Sequence, residues 1–243
     1  MLKRLLNYVG NYDKDFLKNY FSDWSTYEKV WLGVFTLINV VLFFVWDDTL
    51  LSLTASMTGI WCVVLVAKGK ISNYLFGVVN VSLYAWLSYQ QGYFGEVMLN
   101  GLYFLPMQFI GIWFWLKNKN PNKKDSVYVK VMSNRLRGFW LAVSGISIFL
   151  YGLFLKSLGG NLPFFDSTST VLSVIAQILM TLRYMEQWIL WIFVNIVTII
   201  MWITVLSKGG INVTMVVMWS AYLVNSIYGT INWWKMAKEQ EVV

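Results

Sequence analysis

Between positions 30 and 234 the chain alternates eight long apolar stretches with short polar ones. They cover residues 30–46, 50–67, 71–90, 97–116, 138–155, 168–182, 187–206 and 211–234, and none carries Asp, Glu, Lys, Arg or His in its interior. Each lies near the ~20 residues that an α-helix needs to cross a hydrocarbon core. A charge held near the middle of a bilayer costs ~3 kcal/mol or more, so membrane proteins keep one there only where it works. The pattern predicts an all-α integral membrane protein with eight transmembrane helices.

Eight spans assign the intervening polar segments to alternate sides, and the basic residues test that assignment. One side takes residues 1–29, Lys68 and Lys70, the 117–137 loop, Arg183 and the 235–243 tail. Of the 19 Lys and Arg, only Lys156 and Lys208 fall on the other. Positive charge accumulates on the cytoplasmic side, so both termini are expected there. The net charge of +7 is thereby a topology signal and not a mark of nucleic-acid binding. Hydrophobic residues at 58% and charged residues at 13% agree with a membrane class. Cys62 stands alone, so no intrachain disulfide is expected.

The two halves repeat in outline. Lys68-Gly-Lys-Ile-Ser-Asn-Tyr-Leu-Phe-Gly-Val-Val-Asn80 lies over Arg183-Tyr-Met-Glu-Gln-Trp-Ile-Leu-Trp-Ile-Phe-Val-Asn195 without a gap, pairing Phe76 with Trp191 and Asn80 with Asn195. Downstream, Gln108 and Gly111 resemble Asn225 and Gly229, each followed by Trp. The predicted organisation is a segment 1–29, an extra helix with its outer loop (30–49), a three-helix repeat (50–116) and a basic loop (117–137). A linker helix with its loop (138–167), a second three-helix repeat (168–234) and a tail (235–243) complete it. With one linker span between them, the repeats cross in the same direction. This is the parallel, SWEET-like arrangement, which binds solutes near the midplane between two bundles.

Polar and aromatic side chains at helical spacing mark the candidate site. Trp188, Trp191 and Asn195 share one helix face, and Asn73, Phe76, Asn80 and Tyr84 form the matching face of the first repeat. The fourth stretch adds Tyr103 and Gln108 around Pro106, which is expected to bend that helix; the eighth adds Tyr222 and Asn225. Asn and Gln amides both donate and accept, and indole faces stack on flat heteroaromatic rings, with extra attraction if the ring is cationic. The same residues also fasten membrane helices together or anchor them at the interface. Gly111 and Gly229 are expected at close helix contacts. Arg183 and Glu186 are expected to form a solvated pair in a short turn.

The chain has no histidine, no P-loop and no nucleophile–base set, so neither a metal site nor a cofactor is expected and an enzyme cannot be assembled. The lack of a buried carboxylate favours uncoupled, downhill movement of a solute.

Gly59-x2-Cys62, Ala67 through Asn80, Tyr84-Ala, Tyr103-Phe-Leu-Pro-Met-Gln-Phe-Ile-Gly-Ile-Trp113 and Trp188-x2-Trp191-x3-Asn195 together resemble the PnuC family of vitamin transporters. The resemblance runs over roughly residues 50–234 and leaves out residues 1–29. It implies two SWEET-like three-helix bundles in the bacterial cytoplasmic (inner) membrane, assembled as a homotrimer. It also implies facilitated uptake of nicotinamide riboside, trapped afterwards by a cytoplasmic riboside kinase. On that reading Trp188, Trp191 and Asn195 hold the solute, with Asn80, Gln108 and Tyr103 opposite. Related members carry thiamine, riboflavin or deoxynucleosides, and the shared motifs do not fix the ring. A non-transporting membrane subunit is the alternative from a different class.

Overall fold

The computed structural model describes residues 21–22, 24–45, 49–90, 97, 99–120, 125–159, 162–207 and 213–241. Most of the 1–29 segment, and with it Glu96, Lys208 and the outer loops around them, lies outside these residues. Eight helices form the described chain: α1 (Thr26–Val45), α2 (Leu50–Ala67), α3 (Asn73–Gln90), α4 (Leu99–Lys117), α5 (Asn134–Ser157), α6 (Pro163–Thr181), α7 (Gln187–Ser207) and α8 (Val213–Glu241). No strand occurs among the described residues; only isolated bridges do.

Helix ends overrun the apolar stretches wherever capping chemistry continues. Ser25 and Glu28 cap α1 reciprocally, the Glu28 N–H donating to Ser25 Oγ and the Ser25 N–H to Glu28 Oε2. Ser133 accepts from the Leu136 N–H at the start of α5, four residues ahead of the expected apolar boundary. Pro163 starts α6, where a missing N–H is harmless. In α4 the Leu99–Phe104 segment widens into a π-helix immediately before Pro106. Proline cannot close the preceding i→i−4 bond, and the widened turn absorbs that gap.

Four helices, α1, α4, α5 and α6, are long and apolar enough to cross a membrane. The apolar runs inside α2 and α7, Leu53–Ala67 and Gln187–Met201, are shorter. Large hydrophobic side chains point outward on α1 and α5, among them Phe44, Leu141 and Ile146, at 73%, 70% and 61% exposure. In water such faces would drive aggregation; against lipid they are solvated.

Helix contacts close into a ring in the order α2, α3, α4, α6, α7, α8, with α1 laid on α2 and α5 on α6. Hydrogen bonds define both seams between the halves. At one seam Tyr103 Oη donates to the Val174 carbonyl (2.6 Å) and Trp115 Nε1 to the Met180 carbonyl (3.0 Å), so α4 and α6 run in the same direction. At the other, Asn225 reaches the Val63 carbonyl (3.2 Å), Asn232 that of Ala67 (2.8 Å) and Trp233 Nε1 that of Val66 (2.9 Å). Indole and amide donors of one half thus reach helix carbonyls of the other, which ties the halves together by directional bonds. Trp115 and Trp233 are themselves fully buried and lie 5.9 Å apart, at the base of the ring.

The 117–137 segment is more than a topology signal. Residues 125–127 are buried between two turns built alike. Ile71 N–H donates to the Asp125 carbonyl and Val127 N–H to that of Gly69; Met185 N–H donates to the Lys130 carbonyl and Lys130 N–H to that of Arg183. Gly69 and Arg183 both have left-handed backbones, with φ of 65° and 67°. The turns therefore match Gly69 with Arg183, one residue away from the gapless alignment of Lys68 with Arg183. Backbone conformation sets the equivalence here, and the basic side chains do not.

The expected solvated pair of Arg183 and Glu186 does not form. Both are buried: Arg183 donates to the Tyr128 carbonyl at 3.1 Å, while Glu186 accepts from Arg137 (2.9 Å) and the Met132 N–H (3.0 Å). Folding of the basic segment over the turn removed the water that a separate surface pair would need. Burial and the neighbouring Arg183 also hold the Lys130 pKa below its ordinary value.

Candidate solute site inside the helix ring

The one-residue shift in the turns carries into α3 and α7. Asn73 and Gln187 open them, each fully buried, and Tyr74 and Trp188 follow. The pairing is repeated by their glycine contacts. A Cβ on Gly111 would lie 2.3 Å from the Tyr74 ring, and one on Gly229 would lie 2.6 Å from the Trp188 ring. Both glycines are close-packing points, as the sequence suggested, each seating an aromatic from the middle helix of its own half.

Trp188 is 3% exposed and stands edge-on to Trp233, with ring centroids 6.0 Å apart. Its Nε1 has no protein hydrogen-bond partner. Trp191, one turn on, is partly buried against the same core. Asn195 is 2% exposed and donates to Ser226 Oγ at 2.9 Å, joining α7 to α8. These three side chains remain on one face, as their spacing requires.

Across the ring, Gly77 occupies the position that matches Trp191. The space that an indole fills in one half is taken in the other by Gln108, whose Oε1 would sit 2.2 Å from a Cβ at Gly77. Gln108 is 5% exposed; its Nε2 leans on the Phe104 carbonyl at 3.4 Å, and its Oε1 has no protein partner. Cys62 borders the same spot. Tyr222 on α8 lies within electrostatic reach of Cys62 on α2 and of Tyr84 on α3, which is itself 41% exposed.

The remaining predicted residues are spread more widely. Phe76 stacks on Trp61 (5.5 Å, 16°) in a cluster with Trp24, Leu32 and Val64, between α1 and α2. It follows the register shift and sits with the outer helix. Asn80 donates to the Ala55 carbonyl at 2.8 Å, bracing α3 to α2 beside Gly59. Asn80 and Asn195 thus each use their amide within their own half. Tyr103 and Asn225 sit on the two seams, their side chains engaged with Val174 and Val63.

Two buried glutamines escaped the sequence reading. Gln177 on α6 is 5% exposed, and its Nε2 has no protein partner. Gln187 is fully buried, with neither amide atom bonded. The signal for Gln177 was present: Thr170, Ser173, Gln177 and Thr181 form a polar stripe at helical spacing in an otherwise apolar span. A groove of about 370 Å³ lined by Ser82, Ala85, Trp86, Tyr89 and Val97 shares no residue with this interior.

A ring of helices with outward apolar faces and buried amides, indoles and phenols, its buried charges among the described residues lying in the turns, in the 117–137 segment and in the first turn of α1, marks a multi-pass membrane protein. Comparison with known proteins narrows the class. Residues 49–235 match the family described as "Nicotinamide mononucleotide transporter". The chain is 43% identical over 222 residues to the nicotinamide riboside transporter PnuC of Neisseria mucosa, covering 90% of this chain and 84% of that protein. It is 36% identical to the Haemophilus influenzae protein of the same name, over 91% of this chain and 95% of that one. A solved structure, "Crystal structure of the Vitamin B3 transporter PnuC", is similar with a TM-score of 0.77 and 42% identity, covering 91% of this chain and 96% of that one. The chain belongs to the PnuC family of membrane transporters, and it is not an enzyme.

Proposed function

We propose that the chain takes up nicotinamide riboside by facilitated diffusion across the bacterial cytoplasmic membrane, and that a cytoplasmic riboside kinase traps the solute by phosphorylation. All eight helices cross the membrane in this reading, with both termini cytoplasmic. The two three-helix halves form parallel SWEET-like repeats, α5 links them, α1 is additional, and three copies assemble as a homotrimer. The observation that carries the proposal is the chemistry of the ring: Trp188, Trp191, Asn195 and Gln108 lie along α7 and α4, whereas the buried charges among the described residues (Glu28, Lys68, Lys70, Asp125, Arg183 and Glu186) lie in turns, in the 117–137 segment or in the first turn of α1. Nicotinamide riboside joins an uncharged ribose to a cationic pyridinium carboxamide. Indole faces attract the ring, and amides hydrogen-bond its carboxamide and hydroxyls. The names of the Neisseria and Haemophilus relatives support the same substrate.

The family description names the mononucleotide, and the interior argues against it as cargo. A phosphate adds ~2 negative charges at neutral pH, and in a low-dielectric site these need Lys, Arg or a metal as partner. Calorimetry on the purified protein tests the choice. Nicotinamide riboside is expected to bind, and nicotinamide mononucleotide to bind more weakly by about 100-fold or more, as loss of an unpaired charged group implies. Clear binding of thiamine or a deoxynucleoside, without the riboside, would keep the fold and replace the substrate.

Replacing Asn195 by Leu is expected to weaken riboside binding about tenfold with little loss of stability. Ser226 Oγ still donates to the Tyr222 carbonyl (2.8 Å), so no new buried donor is stranded. Unchanged affinity in Asn195→Leu would remove this residue from the site.

A further inference from the structure

Two seam hydrogen bonds bracket a shared stretch of α4 and α6. Tyr103 meets Val174 at one level and Trp115 meets Met180 at another. Gln108 falls between Tyr103 and Trp115 on α4; Gln177 falls midway between Val174 and Met180 on α6. Both amides therefore lie in the stretch of the ring that these two bonds bracket. Rotation about α6 agrees. Ile175 and Leu179 pack with Met132 and the α5 residues Trp140 and Val143, and Gln177 lies on the opposite side of that helix at ~100° per residue.

Each amide is more than nine-tenths buried, and each has an atom without a protein partner: Oε1 of Gln108 and Nε2 of Gln177. The bond from Gln108 Nε2 to the Phe104 carbonyl orients that side chain, so Oε1 is its free acceptor, lying over Gly77 of α3 beside Cys62. Gln177 supplies a donor. A buried polar atom without a partner costs about 1–3 kcal/mol, so an acceptor and a donor left in the same stretch of the ring suit one polar group of a solute.

We propose that Gln177 is a specificity-determining residue which, together with Gln108, reads a carboxamide of the transported solute. The inference rests on the riboside reading above and names the group that this site selects. A carboxamide donates through nitrogen and accepts through oxygen, so Gln108 Oε1 takes its N–H while Gln177 Nε2 gives to its carbonyl. A carboxylate in the same place offers two acceptors and a negative charge. It can accept from Gln177 but opposes the Gln108 oxygen, so the pair discriminates amide from acid.

The test is calorimetric binding of nicotinamide riboside and its carboxylate counterpart, nicotinic acid riboside, to the full-length protein and to Gln177→Met and Gln177→Leu. Met fills a similar volume without a polar group, which keeps packing effects apart from recognition. Thermal unfolding of each variant checks that it is folded. The unaltered protein is expected to favour the carboxamide by about tenfold or more, and Gln177→Met to lose about tenfold for the carboxamide and much less for the acid, collapsing the ratio. A ratio unchanged in folded Gln177→Met overturns the role of Gln177 alone. Failure of the unaltered protein to bind either riboside overturns the substrate reading and this inference with it.

Discussion

Lys68→Ala is expected to destabilise the protein by about 3–5 kcal/mol, the loss typical when one member of a buried ion pair is removed. Lys68 Nζ lies 2.7 and 2.8 Å from the two Glu28 oxygens, and the paired side chains are only 6% and 3% exposed. Glu28 also caps α1 through the Ser25 N–H and accepts a hydrogen bond from Tyr228 Oη on α8. One carboxylate therefore ties α1, the α2–α3 turn and α8 together. Without Lys68 the carboxylate stays buried with only neutral donors. Thermal unfolding in detergent should show a melting temperature lower by roughly 10 °C or more. The double variant Glu28→Leu with Lys68→Met should recover most of the loss, because it removes both charges together. A Lys68→Ala protein within about 1 kcal/mol of the original would mean that Glu28 is hydrated, in the manner of an exposed pair.

Gly229→Ala is expected to damage stability and solute binding together. The added methyl would lie 2.6–2.7 Å from three atoms of the Trp188 indole, which is fixed on another side by Trp233. Overpacking of this kind costs about 1–3 kcal/mol. The strain is relieved only by moving the indole or separating α7 from α8, and either shifts Trp191 and Asn195 further along α7. Binding of the riboside should fall by about tenfold or more, since small displacements of a preorganised site are expensive. Gly145→Ala is the control: nothing lies within 4 Å of its added carbon. In the middle of α5 that change should be neutral or stabilising by up to about 1 kcal/mol. Equal behaviour of the two alanine variants would refute the packing argument.

The mirror features of the two halves extend beyond the three-helix repeats predicted from sequence. α1 lies on α2 as α5 lies on α6, and each outer helix is fastened by an ion pair to the turn leaving the helix it covers. The charges are exchanged: Glu28 on α1 meets Lys68, while Arg137 on α5 meets Glu186. Opposite charge order in equivalent places hides the relation from an alignment that matches residue types. The geometry preserves it because either order neutralises the pair.

Apolar run length by itself determined where the eight helices lie, because a helix of ~20 apolar residues is the simplest way for a chain to enter lipid with its backbone satisfied. Spacing alone put Trp188, Trp191 and Asn195 on one face, since helical geometry is local. The glycine contacts were legible for the same reason: Gly111 and Gly229 stand in helices where small residues signal close approach. Register between the halves was a different matter. Lys68 and Arg183 are alike in charge, yet the left-handed backbones of Gly69 and Arg183 set the true correspondence. That one-residue shift sent Phe76 toward α1 and placed Gly77 opposite Trp191. Gln177 needed the third dimension as well, because only the α4–α6 hydrogen bonds bring its stretch of α6 beside that of Gln108. Local periodicity reports which face a residue shares, whereas the partner across the ring depends on how distant segments dock. Docking is decided by packing and hydrogen bonds that no single stretch of sequence contains.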